Sequence, residues 1–542
     1  MKISFVLFAL AAIVSVLGIC AMGQSIAIAN ARIVTVSGPT IEKGTVVVRD
    51  GLIESVGASV TPPADAQLVD GSGLTVYPGF IDALTNLGMP SAPARTTGNQ
   101  QSSSPQPASN SNYPVGLRPE MLVLEDLKSD GAQFESSRSA GFTTAVTTGR
   151  TGIFNGQSAI INLAGDSVSS MVIKSPFAEH FSFTTIGGGQ YPASLLGTFS
   201  SFRQMLLDAK RLQMLQRSYA SNTRGMRRPE ADRSLEALFP VINRQMPVVF
   251  HANRENEISR ALDLVKELGL KAIIAGGQEA WKFVDRLKAQ DVPVLLSLNF
   301  PKRTAAASAE ADPESLELLR FRAETPKGPS KLAAAGIKVG FQSGGTSTLA
   351  DYFTNAGKAV EAGLNKDAAI RAMTLGSAEI LGIDDRVGSI ENGKIANLTV
   401  VRGDLFGKDR HAKFVLIDGS LFEMKDPPKK DDAAKPGPAA AAVASVGGNY
   451  SITIEIPGQP MPATLALTQQ GSILTGTMQS QMGSTDIKDG KVTADGFSFA
   501  GSVEFGGTMI DIFVKGAVSG NNISGTIDSN QGQVPFAGTK NP

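Results

Sequence analysis

Between Met121 and about Gly382, short apolar runs alternate with stretches of helical period, and few folds satisfy that alternation. Thr143–Thr148, Pro247–Phe250 (ending at His251), Lys271–Ala275, Val292–Ser297 and Ile337–Phe341 read as strands. Ser201–Ala220 carries Phe202, Met205, Leu206, Leu212 and Leu215 on one helical side, and Glu255–Leu268 carries Ile258, Ala261, Leu262 and Val265. A further helix starts at Gln278. Strands that alternate with helices predict an α/β fold with a parallel sheet. The length suits a (β/α)8 barrel, whose working residues sit at the strand C-termini.

Two β-rich segments bracket this region. Ile26–Ala29, Arg32–Val36, Thr45–Arg49 and Leu52–Val56 are strand-like, with Asp50-Gly51 as a hairpin signal. The texture returns at Gly393–Val401 and Lys413–Gly419. The expectation is a small β-sandwich built from both flanks (24–77 and 385–424) around a barrel at 78–384. A Pro/Ala-rich linker follows at 425–446. The final segment, 447–542, has many short alternating strands separated by turns such as Asp489-Gly490 and Asn521-Asn522. It predicts a separate C-terminal antiparallel all-β domain. Ser91–Gly116 is polar and of low complexity; it reads as a solvated insertion or a lid at the barrel rim.

Lys+Arg and Asp+Glu both number 50 in the 542 residues, so the net charge is zero and nothing points to nucleic acid. Lys2, the apolar run Ile3–Ile19 and the small residues Ala21-Met22-Gly23 predict a signal peptide at 1–23. That run is short for a membrane span, so no stable span is expected after cleavage and the destination is periplasmic or secreted. Cys20 offers a lipidation alternative. Cleavage after Gly23 removes the sole cysteine, which excludes disulfides and thiol catalysis.

The run Val76-Tyr-Pro-Gly-Phe-Ile-Asp-Ala-Leu-Thr-Asn-Leu-Gly88 combines a Pro-Gly turn with a strand. Period two then places Asp82, Leu84 and Asn86 on one side. This stretch resembles the first barrel strand of the metal-dependent amidohydrolase superfamily, in which Pro-Gly-Phe-Ile-Asp precedes His-x-His. Val48–Gly57, Ala140–Ala145, Ala372–Gly382 and Val387–Leu398 are similar to further motifs of that superfamily, in the same order. Asn397 stands where the family usually has Asp. The texture is closest to the imidazolonepropionase-like and prolidase-like branch. The resemblance implies a TIM-like barrel and a hydrolase acting on non-peptide C–N bonds of a small molecule.

The same resemblance implies one or two divalent metals such as zinc, and here this chain departs from it. The family ligand positions are occupied by Leu84, Asn86, His251, Gly276 (or Gly277) and Gly344. The chain has three histidines; His180 reads as lying in a loop-like run and His411 in the returning β segment. Catalytic zinc takes about three protein ligands, so the metal site reads as degenerate, with zinc only if that remnant still binds. Asp82, Asn86 and His251 remain as pocket candidates. Two readings stay open: a hydrolase with altered chemistry, and a non-catalytic pseudoenzyme that binds a small-molecule ligand or partner in the old pocket. A third places ligand binding in the C-terminal β domain. A homo-oligomer is compatible with all three. Gly187-Gly188-Gly189 lacks the Gly-Lys-Ser/Thr of a phosphate loop. Arg224, Arg227, Arg228 and Arg233 read as a solvated loop, and Trp281 as packing.

Overall fold

Strands β1 (Ile26–Ile33), β2 (Ile41–Arg49) and β3 (Leu52–Gly57) form an antiparallel ladder. Asp50 and Gly51, between β2 and β3, both take positive φ (52° and 78°), as a tight hairpin of matching twist requires. β4 (Gln67–Asp70) and β5 (Leu74–Pro78) run parallel to β1. The computed structural model describes residues 25–90, 113, 116–129, 131–150, 152–184, 192–303, 314–344, 349–425, 446–454, 461–471, 473–480, 483–492, 496–505, 508–529 and 532–541. The expected signal peptide, the Gly187–Gly189 run, most of the 91–116 insertion and nearly all of the 425–446 linker lie outside these residues. Among the described residues no helix is long and apolar enough to cross a membrane.

Pro78-Gly79 ends β5 and starts β6 (Phe80–Thr85), which pairs in parallel with β7 (Phe142–Thr147). β8 (Phe154–Gln157) and β9 (Ala159–Asn162) are separated only by Ser158. β9 runs antiparallel to β7 and to the short β10 (Val172–Lys174), while β8 runs antiparallel to β11 (Glu179–Ser182). From β11 the ladder is parallel through β12 (Val248–Ala252), β13 (Ala272–Gly276), β14 (Val294–Ser297) and β15 (Val339–Gln342). β15 lies alongside β6. The domain is therefore barrel-like, but β8–β9 breaks the all-parallel order of the expected (β/α)8 pattern.

Apolar residues fill both faces of these strands, as in sheets covered by helices. Ile81, Val146, Ile160, Val249, Ile273 and Leu295 share one buried cluster. On the other face, Phe154, Phe181, Phe202 and Phe250 pack ring on ring at 4.1–5.8 Å. Phe202 comes from helix Leu195–Ser221, which also buries Met205 and Leu206. Leu215, expected on that buried side, is 36% exposed, because the helix outruns the layer it covers. Helix Glu255–Leu268 buries Ile258, Ala261, Leu262 and Val265 and stops at the left-handed Gly269.

After the barrel, β16 (Leu398–Arg402) returns to pair antiparallel with β5, and β17 (His411–Ile417) and β18 (Ser420–Glu423) extend that sheet. Strands from both flanks thus share one eight-stranded sheet, in the order β18-β17-β16-β5-β1-β2-β3 with β4 on β1. The remaining unit holds β19 (Gly448–Ile454), β20 (Met461–Gln470), β21 (Ile473–Ser480), β22 (Gly483–Asp486), β23 (Lys488–Val492), β24 (Phe497–Phe505), β25 (Thr508–Ser519), β26 (Asn522–Ser529) and β27 (Gly532–Lys540). β20 pairs with both β19 and β21, so eight of these strands close an antiparallel ring, with β22 appended to β21. Closure removes the free edges of the sheet. Tyr450, Leu465, Phe499, Val514 and Phe536 are among the buried residues that fill its core.

Candidate functional site at the barrel mouth

A cavity of about 620 Å3 lies where the barrel strands end. Strand period two brings Asp82 and Leu84 to it from β6, and Asn86 joins them just past the strand end. Asp82 is buried, and its Oδ1 accepts the Ser343 N–H at 2.9 Å and the Leu84 N–H at 3.5 Å. Burial dominates and pushes its carboxyl up to about 6, with these hydrogen bonds pulling the other way. Asn86 Nδ2 donates to the Thr148 carbonyl (2.8 Å) and the Gly149 carbonyl (3.1 Å). A carbonyl only accepts, so the nitrogen must face that loop. Leu84 fills its place on the wall with an apolar branch.

His251 reaches the cavity from β12, and it is not alone. His180, expected in a loop, sits on β11 and is fully buried. Its Nδ1 lies 3.0 Å from His251 Nε2, and its Nε2 lies 2.8 Å from Ser158 Oγ. Ser158 Oγ also donates to the Ala178 carbonyl at 3.3 Å. Burial, then the neighbouring His251, holds His180 well below the usual imidazole range; burial alone pushes His251 down to about 4. Both rings are neutral at pH 7. The strand, though not the ring pairing, was readable in the sequence: His180-Phe-Ser-Phe183 alternates polar and apolar residues.

The wall is completed by Gly276 at the end of β13 and by Gly344 just past β15. Both take positive φ (98° and 62°). A Cβ on Gly276 would stand 2.4 Å from Asn253 Oδ1, and one on Gly344 would stand 2.1 Å from Ser297 Oγ. Asn253 and Ser297 therefore occupy the space that side chains at those positions would need. Gln342 and Arg150 also line the cavity, neither of them singled out from the sequence. Gln342 Nε2 donates to the Leu295 carbonyl (3.1 Å), and Arg150 donates to the Asn86 carbonyl (3.2 Å). Arg224, Arg227, Arg228 and Arg233 do not line the cavity. Trp281 packs beneath Lys331, whose Nζ is 3.5 Å from the ring centroid.

Comparison with known proteins fits this arrangement. Residues 328–426 match the amidohydrolase family model. An amidohydrolase from Thermotoga maritima superposes with a TM-score of 0.61 at 24% identity, over 74% of this chain and 100% of its own. The chain has the amidohydrolase fold. A putative prolidase from Bifidobacterium longum aligns at 18% identity over 75% of this chain and 97% of its own, with a TM-score of 0.42. No curated protein matches in sequence.

Amidohydrolases typically bind a divalent metal such as zinc, and this donor set does not fit one. Zinc sites of the catalytic kind take three protein ligands from His, Cys, Asp or Glu. Among the described residues no group of three such side chains stands close enough to share an ion. Within the cavity, Leu84 has no donor atom, and Gly276 and Gly344 have no side chain. His251 has one ring nitrogen engaged by His180, and Asp82 Oδ1 already accepts two backbone N–H groups. The amidohydrolase frame persists here around a polar, closely hydrogen-bonded pocket.

Proposed function

We propose that this is an exported protein of amidohydrolase fold that uses its barrel-mouth cavity to bind a small polar molecule, without the family's metal-assisted hydrolysis. The carrying observation is that Asn253 and Ser297 fill the space beside Gly276 and Gly344. Export rests on Lys2 and the apolar run Ile3–Ile19. In this reading, the barrel at 78–384 is a modified (β/α)8 unit. The flanks 24–77 and 385–424 are its β companion, and the linker 425–446 leads to the terminal domain at 447–542. A second reading, hydrolysis of a non-peptide C–N bond by a metal-free route, is favoured by Asp82 alone. Its carboxyl, near 6, is poised to exchange a proton at neutral pH.

The deciding experiment is elemental mass spectrometry on protein purified without chelators. The expected result is zinc, manganese and iron each far below one per chain, with a melting temperature indifferent to EDTA. A full equivalent of any of these metals, lost on EDTA treatment together with stability, would sink the proposal.

A further inference from the structure

Three polar side chains on the cavity wall each have a donor taken up within the protein. Asn86 gives both amide hydrogens to the Thr148 and Gly149 carbonyls, which leaves Oδ1. Gln342 gives one amide hydrogen to the Leu295 carbonyl, which leaves its other amide hydrogen and the acceptor Oε1. The third is His251, whose state is set at a distance. The Ala178 carbonyl accepts the Ser158 hydroxyl hydrogen. With that hydrogen on Ala178 (3.3 Å), Ser158 Oγ accepts His180 Nε2–H at 2.8 Å and His180 Nδ1 is a bare lone pair. That lone pair accepts the Nε2–H of His251, and a neutral His251 is left with a bare Nδ1. The reverse order, Ser158 donating to His180 Nε2, leaves His251 with an Nδ1–H. Asp82, the one carboxyl on the wall among the described residues, is an acceptor as well.

We infer that the Ser158–His180–His251 chain fixes His251 as an acceptor, so that with Asp82, Asn86 and Gln342 the cavity selects a ligand bearing a cationic N–H group, an alkylammonium or alkylguanidinium. His180 touches no ligand; it is a positioning residue that acts through His251. The inference rests on the small-molecule reading above. Arg150, exposed and bonded through one guanidinium nitrogen to the Asn86 and Met89 carbonyls, is the counterweight, since it would favour an anion instead.

Two measurements on the purified full-length chain test this. With only three histidines, long-range 1H–15N correlation spectra of uniformly labelled protein resolve each ring. At pH 7, His180 and His251 are expected as neutral Nε2–H tautomers; an Nδ1–H tautomer or a charged ring at His251 would overturn the inference. Calorimetric titration with methylguanidinium, n-butylammonium and n-butyrate reads the selectivity. The expected result is binding of one or both cations, weakened about tenfold or more in Asp82→Asn, the scale of a lost hydrogen bond to a charged group. His180→Phe should weaken cation binding and turn the His251 ring. Butyrate binding in preference to the cations overturns the inference but leaves a small-molecule pocket. Stoichiometric zinc uptake in place of every organic probe overturns both.

Discussion

At the scale of single residues, the site carries two opposed responses to acid. His251 is held near 4 in the folded chain and titrates near 6.5 when unfolded, so below about 6.5 the unfolded state takes up a proton that the native state refuses. Its contribution to stability is lost as pH falls from about 6.5 towards 4. Asp82 runs the other way. Its folded value of about 6 lies above the ordinary 3.8, so its contribution is complete below 3.8 and is lost as pH rises through about 6. Between about 4 and 6 the Asp82 slope offsets that of His251, because each group links one proton to folding, at most about 1.4 kcal/mol for each pH unit, while His180 adds a slope of the same sign as His251. Asp82→Asn removes one slope, so its melting temperature should fall more steeply than that of the wild type between pH 6 and pH 4. Parallel curves in scanning fluorimetry would contradict the assignment. Much of this site was legible beforehand: the spacing of Asp82, Leu84 and Asn86 and the strand end at His251 are local patterns. The pairing of His180 with His251 was not legible, because the two lie 71 positions apart and no spacing rule links rings brought together by neighbouring strands.

At the scale of elements, the ends of β13 and β15 each carry a glycine with no room beside it for a side chain. Gly276 and Gly344 combine left-handed backbone with a neighbour inside the reach of a Cβ. Gly276→Ala and Gly344→Ala should each cost about 1–2 kcal/mol or more, since alanine is strained at positive φ and must also displace Asn253 or Ser297. Urea unfolding measures this, and variants of unchanged or higher stability would refute the geometry. Introducing His or Asp there should therefore fail to create a metal site without changes at Asn253 and Ser297. The sequence also hid the antiparallel pair β8–β9. Phe154–Gln157 and Ala159–Asn162 are too short to declare a direction, and only the ladders to β7 and β11 set it. The glycines at 276 and 344 were readable in the sequence, but the filled space beside them was not, because the filling comes from other strands.

At the scale of the whole chain, two compact units each carry a core of their own. The terminal ring satisfies its backbone groups strand to strand, and its interior is packed with Tyr450, Phe497, Phe499 and Phe536. That filling leaves the inside of the ring to side chains, which counts against ligand binding there. Calorimetry of the full chain should show two separable transitions, and a single cooperative one would refute the independence of the units. The pairing of β5 with β16 sets Val76 beside Val400. A ribosome delivers these partners in order, so the opening strands emerge long before the strand that completes their sheet. Through that interval their edge stands open to other chains, and the nascent protein needs shelter until the sheet is whole.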